Sequence, residues 1–161
     1  MLPYRGRRGV GRDVLRLHGV SRSVLFVCIH NSARSQMAEA FVNAECSGSL
    51  RAYSAGLEAG RLNPNVVEAM REIGHDIGGN ATKTVDDEDV RAREYDYVVT
   101  VCDEASAEAC PIYPTRGERL HWSFPDPSSF VGEPDEVLRH TREVRDAIAA
   151  RVRAWCAEAC R

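Results

Sequence analysis

The sequence predicts an α/β fold in which four parallel strands form a sheet flanked by helices. Short apolar segments rich in β-branched residues alternate along the chain with longer segments whose apolar residues recur at helical spacing. Strands and helices that alternate in this order build a parallel sheet with helices on both faces, which gives three layers. The length of 161 residues favours one domain with one core.

The first half of the chain supplies two predicted strands and two predicted helices. Residues 23–28 are a short apolar run, typical of a strand buried on both faces, and residues 50–54 form a second. Residues 34–46 predict an amphipathic helix. A further helix begins at Asn63 and Pro64, because Asn is a good N-cap and Pro suits the first helical position. Its predicted buried stripe contains Val66, Val67, Met70 and Ile73.

The second half continues the alternation. Residues 86–93 predict a short helix whose acidic start and basic end match the helix dipole. Residues 96–101 and 120–124 predict the third and fourth strands, with a loop or short helix over residues 102–110 between them. Residues 135–156 predict a long C-terminal helix. Its inward residues are Val137, Val144, Ile148, Val152 and Trp155.

Charge and hydropathy set expectations about location and partners. The formal net charge of −3 gives no indication of nucleic acid or an anionic membrane as a partner. No segment has the ~20 apolar residues of a membrane-spanning helix, and the N-terminus lacks the apolar run of a secretory signal. We therefore expect a cytoplasmic monomer. Residues 1–20 carry five arginines against Asp13, so we expect a disordered basic arm of open role before a single domain over residues 21–161.

Six cysteines are informative in a cytoplasmic chain. At this length they indicate redox or metal chemistry rather than a disulfide framework. No C-x2-C pair is present, so we predict no metal site. Cys46 ends a predicted helix and is interpreted as structural, while Cys156 and Cys160 are interpreted as incidental or weakly metal-binding.

A second set of residues follows the predicted strand ends. Cys28, Cys102 and Asp126 each lie at or just past the end of a predicted strand. In parallel sheets ligands bind at the carboxyl ends of the strands, so the three residues are expected on one edge.

The segment after the first strand predicts an oxyanion-binding loop. A loop of five residues separates Cys28 from Arg34, which opens a helix, so the loop amides and the helix N-terminus can surround one anion. Arg34 offers a planar fork that grips two anion oxygens, and the same field favours a nucleophilic thiolate at Cys28. The alternative is a buried core cysteine beside a surface arginine. The loop residues are Cys28, Ile29, His30, Asn31, Ser32, Ala33, Arg34 and Ser35.

The chain resembles a known family through this loop. The segment VLFVCIHNSARSQMAEAF at residues 24–41 is similar to the active-site segment of the low-molecular-weight tyrosine phosphatase superfamily, and more closely to its thioredoxin-coupled arsenate reductase branch. The resemblance continues through YSAG at residues 53–56, NP at 63–64, VTVC at 99–102 and DP at 126–127. It implies a low-molecular-weight-phosphatase-like fold, a four-stranded parallel sheet flanked by helices.

Two further cysteines favour a reductase over a phosphatase. The resemblance implies that Cys28 attacks arsenate while Asp126 protonates the leaving oxygen, and that Cys102 then attacks Cys28 and arsenite leaves. Cys110 next attacks Cys102, which leaves a Cys102–Cys110 disulfide. An external thiol reductant then reduces this bond and regenerates the enzyme. The resemblance implies thioredoxin, with glutaredoxin or a small thiol left open, and no bound cofactor. Cys102 and Cys110 are eight positions apart where the family commonly has seven. The alternative is that one of them caps a strand in the core and the other is incidental.

Supporting roles are also implied by the resemblance. Asn31 and Ser35 are expected to hydrogen-bond the loop and the thiolate, or to act as ordinary helix-start caps. Some relatives bind potassium near the loop, and Glu39, Asn31 and Ser54 match three of the ligands. The fourth position carries Lys83, the only lysine, whose ammonium would replace the ion by pairing with Glu39; the alternative is a surface charge.

Several assignments stay open at this level. Asp126 precedes a proline and also suits a plain turn, and His30 suits either the anion site or solvent. The leading functional hypothesis is arsenate reduction for arsenic detoxification, with a weak phosphatase side activity. The alternatives are a phosphatase for phosphotyrosine or small phosphoesters, and a non-catalytic redox or oxyanion sensor.

Overall fold

A computed structural model describes residues 21–46, 48–103 and 113–160. The predicted basic arm at residues 1–20 and Cys110 therefore lie outside the described residues. The strands are β1 Arg22–Cys28, β2 Leu50–Gly56, β3 Tyr97–Thr100 and β4 Glu118–His121. The helices are α1 Arg34–Glu45, α2 Pro64–Arg71, α3 Glu88–Arg91 and α4 Pro134–Ala159, with a 3₁₀ turn at Pro127–Ser129.

The four strands form one parallel sheet in the order β2-β1-β3-β4. Val27 of β1 lies level with Ala55 of β2 on one side and Thr100 of β3 on the other. The carboxyl ends of the strands therefore share one edge, which we call the carboxyl edge; the opposite one is the amino edge. The prediction of a four-stranded parallel sheet is confirmed.

The side chains of β1 divide between two hydrophobic clusters. Val24 and Phe26 point to the face covered by α1, α2 and α4, where the larger cluster lies. Leu25 and Val27 point to the other face and pack with Val90 of α3. The alternation follows from the two-residue period of a strand, and burial on both faces explains why β1 is apolar throughout.

The ends of α2 follow from local chemistry. The Asn63 side chain accepts hydrogen bonds from the backbone N–H groups of Asn65 and Val66, and Pro64 occupies the first turn. Gly74 has φ +88°, a left-handed conformation that suits glycine, and the N–H of His75 donates to the Met70 carbonyl at 3.0 Å. The prediction for Ile73 is wrong: it lies past the helix and is exposed, because the chain has already turned.

Two predicted elements are shifted or shortened. The fourth strand was predicted over residues 120–124 and instead is Glu118–His121, because Thr100, the last residue of β3, lies level with His121. The third helix is Glu88–Arg91, a single turn inside the predicted 86–93. In the described ranges, no helix combines the length and apolar character needed to cross a membrane.

Candidate active site

The sulfur of Cys28 lies among hydrogen-bond donors at the end of β1. The backbone N–H of Asn31 donates to Sγ at 3.1 Å, and the Ser35 hydroxyl lies 2.8 Å from Sγ. The Asn31 side-chain Nδ2 donates to Ser35 Oγ at 2.9 Å, which leaves the hydroxyl hydrogen free to point at the sulfur. Two hydrogen-bond donors are therefore aimed at one buried sulfur.

Carbonyl groups of the loop from Cys28 to Ser35 hydrogen-bond to the segment that follows β2. The carbonyls of Cys28, Ile29 and His30 accept hydrogen bonds from the N–H groups of residues 57, 58 and 60, at 2.9 to 3.1 Å. With these carbonyls turned outward, the loop amides face the opposite side. Among the described residues, the N–H groups of residues 32 to 35 have no acceptor, so they are available to an oxyanion.

Gly56 makes this arrangement sterically possible. A side chain at this position would place its Cβ 2.6 Å from the Asn31 nitrogen and 2.8 Å from the His30 carbonyl carbon. Both are backbone atoms that cannot move aside, so the loop can pack on β2 only if the residue is glycine.

Asn31 organises the loop through its side chain. It is fully buried and has φ +54°, a left-handed conformation that Asn tolerates better than most residues. Its Nδ2 also donates to Ser54 Oγ at 2.9 Å, and Ser54 Oγ donates to Glu39 Oε2 at 2.5 Å. Its Oδ1 accepts from the backbone N–H of Lys83 at 2.9 Å. A continuous chain of hydrogen bonds therefore runs from Glu39 to the Cys28 sulfur.

Arg34 and Asp126 meet beside the loop. The Arg34 guanidinium is buried, donates through Nη1 to the Phe124 carbonyl at 3.0 Å, and places Nη2 3.5 Å from Asp126 Oδ2. Asp126 Oδ1 also accepts from the backbone N–H of Ser128 at 3.0 Å, so it caps the following turn as well. The carboxyl is a quarter exposed, which lets it meet both Arg34 and solvent.

Cys102 lies beside Cys28 on the neighbouring strand. The N–H of Val101 donates to the Val27 carbonyl at 3.0 Å, so Cys102 sits one residue beyond the level of Cys28. Adjacent strands are about 4.8 Å apart, which brings the two cysteines to one corner of the carboxyl edge. Cys102 is fully buried and disulfide-bonded, whereas Cys28 is a free thiol.

Comparison with known proteins agrees with this geometry. The family model for low molecular weight phosphotyrosine protein phosphatase matches residues 23–161. The chain belongs to this family. The predicted resemblance and the phosphatase-like fold are therefore confirmed.

Several relatives of this chain carry the name arsenate reductase. The arsenate reductase of Halalkalibacterium halodurans is 42% identical over 132 residues, which cover 82% of this chain and 93% of that protein. The crystal structure of arsenate reductase from Archaeoglobus fulgidus matches with a TM-score of 0.66 and 34% identity, covering 83% of this chain and 98% of that one. A thioredoxin-dependent arsenate reductase of Corynebacterium glutamicum matches with a TM-score of 0.61 and 28% identity, covering 91% and 69%.

Glu39 and Lys83 do not form the predicted ion pair. Burial raises the pKa of Glu39 above the usual 4.5, and the Ser54 hydrogen bond and the nearby charge of Lys83 oppose the rise. The Lys83 ammonium contacts the Ala81 carbonyl at 3.4 Å, and among the described residues no salt bridge joins it to Glu39. Lys83 contacts the Cys28 loop through its backbone N–H, which donates to Asn31 Oδ1.

Gln36 is a site residue that the sequence did not reveal. It is fully buried in the first turn of α1, and its Nε2 donates to both oxygens of Asn31 at 3.1 and 3.2 Å and to the Ala81 carbonyl at 3.0 Å. Its Oε1 accepts from Asn80 Nδ2 at 3.1 Å. It therefore joins the Cys28 loop to the turn that carries Lys83. A single glutamine at a helix start gives no sequence pattern that predicts these contacts.

Two remaining predictions concern peripheral residues. His30 is half-exposed, and its Nε2 lies 3.6 Å from Glu58, so it faces solvent beside the loop. The interpretation of Cys156 as incidental is wrong, because Cys156 forms a disulfide with Cys46, 110 positions away in sequence. The two cysteines are far apart in sequence, so only the packing of α4 on α1 identifies the pair.

Proposed function

We propose that this chain reduces arsenate to arsenite with Cys28 as the nucleophile. The observation that carries the proposal is Cys102, a second cysteine held beside Cys28 at the same sheet edge. A phosphatase needs one cysteine, since water releases the phosphoryl group. Arsenate reduction needs two electrons, which two thiols supply by forming a disulfide. The named relatives support the same reaction.

The first step uses the oxyanion loop and Arg34. Arsenate binds to the free loop amides and the guanidinium, and the Cys28 thiolate attacks the arsenic. An As–O bond breaks, and the departing oxygen takes a proton from Asp126 and leaves as water. The product is an arsenic(V) thioester-like adduct on Cys28.

The second step is the reduction. The Cys102 thiolate attacks the Cys28 sulfur, and a sulfur–sulfur bond forms. The electron pair of the breaking S–As bond passes to arsenic, which leaves as arsenite. Cys110, which lies outside the described residues, then attacks Cys102 and frees Cys28. A free Cys28 beside a disulfide-bonded Cys102 is the pattern that this transfer leaves behind, and it supports the order of steps.

An external dithiol must then reduce the protein, and we propose thioredoxin. The Corynebacterium glutamicum neighbour is thioredoxin-dependent, which supports this choice. Such reductants operate in the cytoplasm, so we place the activity there. The loop does not distinguish arsenate from phosphate, and we therefore expect a weak phosphatase activity as well.

The deciding experiment measures arsenite release by the pure protein with thioredoxin, thioredoxin reductase and NADPH. We expect turnover by wild type and none by Cys28→Ser or Cys102→Ser. Cys110→Ser should release one equivalent of arsenite and stop as a Cys28–Cys102 disulfide, visible by mass spectrometry. Cys160→Ser is the matched control and should turn over normally. A wild type that cleaves aryl phosphates but leaves arsenate unchanged would make the protein a phosphatase, and silence on both would favour a sensor.

A second experiment tests Asp126 as the proton donor. Asp126→Asn keeps the cap on Ser128, because Asn is an equally good cap, but it cannot protonate a leaving oxygen. We expect kcat to fall about 10²-fold, the lower end for loss of a general acid. Asp135→Asn, an exposed position in the first turn of α4, is the control. An unchanged kcat for Asp126→Asn would leave Asp126 as a turn residue only.

A further inference from the structure

Three cysteines line one pocket at the amino edge of the sheet. Cys46 follows α1, Cys156 lies in the last turns of α4, and Cys160 caps that helix. All three line a cavity of about 370 Å³, with Glu45 and Arg153 at its rim. We call these three residues the amino-edge cysteines.

The amino-edge cysteines are too far from the Cys28 loop to exchange with it directly. The Cys46 carbonyl accepts the N–H of Leu50 at 3.0 Å, and Leu50 lies level with Arg22, the first residue of β1. Cys28 is the last residue of the same strand. At 3.3 Å per residue the two ends of β1 are about 20 Å apart. Any chemistry at the amino edge therefore needs its own route for thiols and disulfides.

Access differs sharply within the cluster. Cys46 is 4% exposed and Cys156 is 8% exposed, and they form the disulfide with Cα atoms 6.1 Å apart. Cys160 is a free and exposed thiol. A reagent that arrives from solvent therefore meets Cys160 before it can reach either buried sulfur.

We propose that Cys160 is the entry thiol through which a low-molecular-weight disulfide forms the Cys46–Cys156 bond. The Cys160 thiolate attacks one sulfur of the small disulfide, a mixed disulfide forms on Cys160, and one small thiolate leaves. The Cys156 thiolate attacks the Cys160 sulfur and expels the second small thiolate. The Cys46 thiolate then attacks the Cys156 sulfur and releases Cys160 as a thiolate. In sum, two protein thiols are oxidised and one small disulfide is reduced to two thiols.

The helix end makes the middle step geometrically possible. Residues four apart on an α-helix have Cα atoms about 6 Å apart, inside the range that a disulfide spans. On a helix interior the rigid backbone hinders such a bridge, but Cys160 is the cap residue beyond the last helical position. Its backbone can adjust without breaking the body of α4. The same steps run backwards when small thiols are in excess, so the site responds to the small-thiol balance of the cell.

The experiment uses the full chain, fully reduced and then freed of reductant under nitrogen. Oxidised glutathione is added, samples are alkylated at intervals, and peptide mass spectrometry follows the disulfides. We expect glutathione on Cys160 first and the Cys46–Cys156 link afterwards. Cys160→Ser should form that link about tenfold or more slowly, because buried thiols react slowly with outside reagents. An equal rate in Cys160→Ser, or glutathione first on Cys46 or Cys156, would overturn the proposal.

A trapping variant tests the middle step. Cys46→Ser removes the final attacking thiol, so we expect a Cys156–Cys160 disulfide to accumulate. If glutathione instead stays on Cys160, the order of attack is wrong. Cys110→Ser is the matched control and should form the Cys46–Cys156 link at the wild-type rate. Arsenate turnover of Cys160→Ser should equal wild type, so failure here is separate from failure of the proposed function.

Discussion

Cys28 at the carboxyl edge and the Cys46–Cys156 pair at the amino edge have different surroundings. At the carboxyl edge the Cys28 sulfur is a free thiol that receives the Asn31 N–H and touches the Ser35 hydroxyl. At the amino edge Cys46 and Cys156 belong to the hydrophobic core and are bonded to each other. The residue type is the same, and the hydrogen-bond donors around Cys28 support the nucleophilic role that we propose for it.

The parallel topology produces this difference. Every strand ends at the carboxyl edge, and α1 begins there at Arg34 with unpaired amides that favour an anion. The last turns of α1 and α4 meet at the amino edge, where the disulfide joins them. Helix C-termini present carbonyls and offer no donors to negative sulfur. The Cys28 sulfur is therefore surrounded by the start of a helix, and the Cys46–Cys156 disulfide by the ends of two helices.

The largest expected effect comes from arginine at the carboxyl edge. Arg34→Lys replaces a fork that contacts both the Phe124 carbonyl and Asp126 by a single ammonium. We expect kcat/KM for arsenate to fall about 10²- to 10³-fold, the range for loss of one oxyanion donor. Steady-state kinetics with thioredoxin measures it.

The amino edge supplies the control for that substitution. Arg153 also contacts a carboxylate, with Nε 2.9 and 3.0 Å from the oxygens of Glu45, but it is exposed and far from the loop. Arg153→Lys should leave kcat/KM unchanged. Equal losses at both arginines would mean that the two edges are not functionally distinct.

The next effect concerns stability rather than catalysis. The Cys46–Cys156 bond closes a loop of 110 residues, so its removal in Cys46→Ser/Cys156→Ser frees the unfolded chain. We expect the free energy of unfolding of the oxidised protein to fall by about 2–4 kcal/mol. Urea denaturation without reductant measures it. Cys160→Ser should leave the stability of the oxidised protein unchanged, and arsenate turnover of the double variant should persist. If stability is unaffected, the disulfide does not cross-link the native helices.

A smaller effect tests the strained backbone of the loop. Asn31→Ala and Asn31→Gly lose the same side-chain hydrogen bonds, but only Ala resists φ +54°. We expect the Ala variant to be less stable by about 1 kcal/mol. Asn43 lies inside α1 and also binds the neighbouring strand through Ala52, so it is a matched control with the opposite order. At this position Asn43→Gly should be less stable than Asn43→Ala by roughly 0.5–1 kcal/mol. The same order at both positions would contradict a conformational role for Asn31.

Local chemistry made the carboxyl edge predictable from sequence. The apolar run of β1, the start of α1 at Arg34 and the cap at Asn63 are each set by residues within a few positions. Because parallel strands end together, the sequence pattern also predicts that Cys28 and Cys102 lie on one edge. Short-range patterns and one rule of topology are enough for this part of the molecule.

The parts that sequence did not predict depend on long-range packing. The contact of Gln36 with Asn80 joins residues 44 apart, and Cys46 pairs with Cys156 over 110 positions. Nothing near Gly56 shows that the Asn31 backbone approaches it closely. The end of β4 depends on its register with β3, and the apolar residues Trp122 and Phe124 extend the strand pattern past His121. These features emerge only when helices and strands are placed in space.

The smallest expected effect is the change of stability with pH that comes from the buried carboxyl group of Glu39. Burial raises the pKa of Glu39, so the folded protein holds this proton at a pH where the unfolded chain has released it. The contribution of Glu39 is therefore fully present below pH 4.5 and is lost as pH rises through the raised pKa. Urea titrations at several pH values measure the unfolding free energies of wild type and Glu39→Gln. As pH rises, wild type should lose stability relative to Glu39→Gln. Lys83→Met removes a charge that opposes the shift, so it should extend the decline to higher pH. A difference that stays constant would show that Glu39 is solvated like an ordinary surface carboxyl, and the hydrogen-bond chain to Cys28 would then end at Ser54.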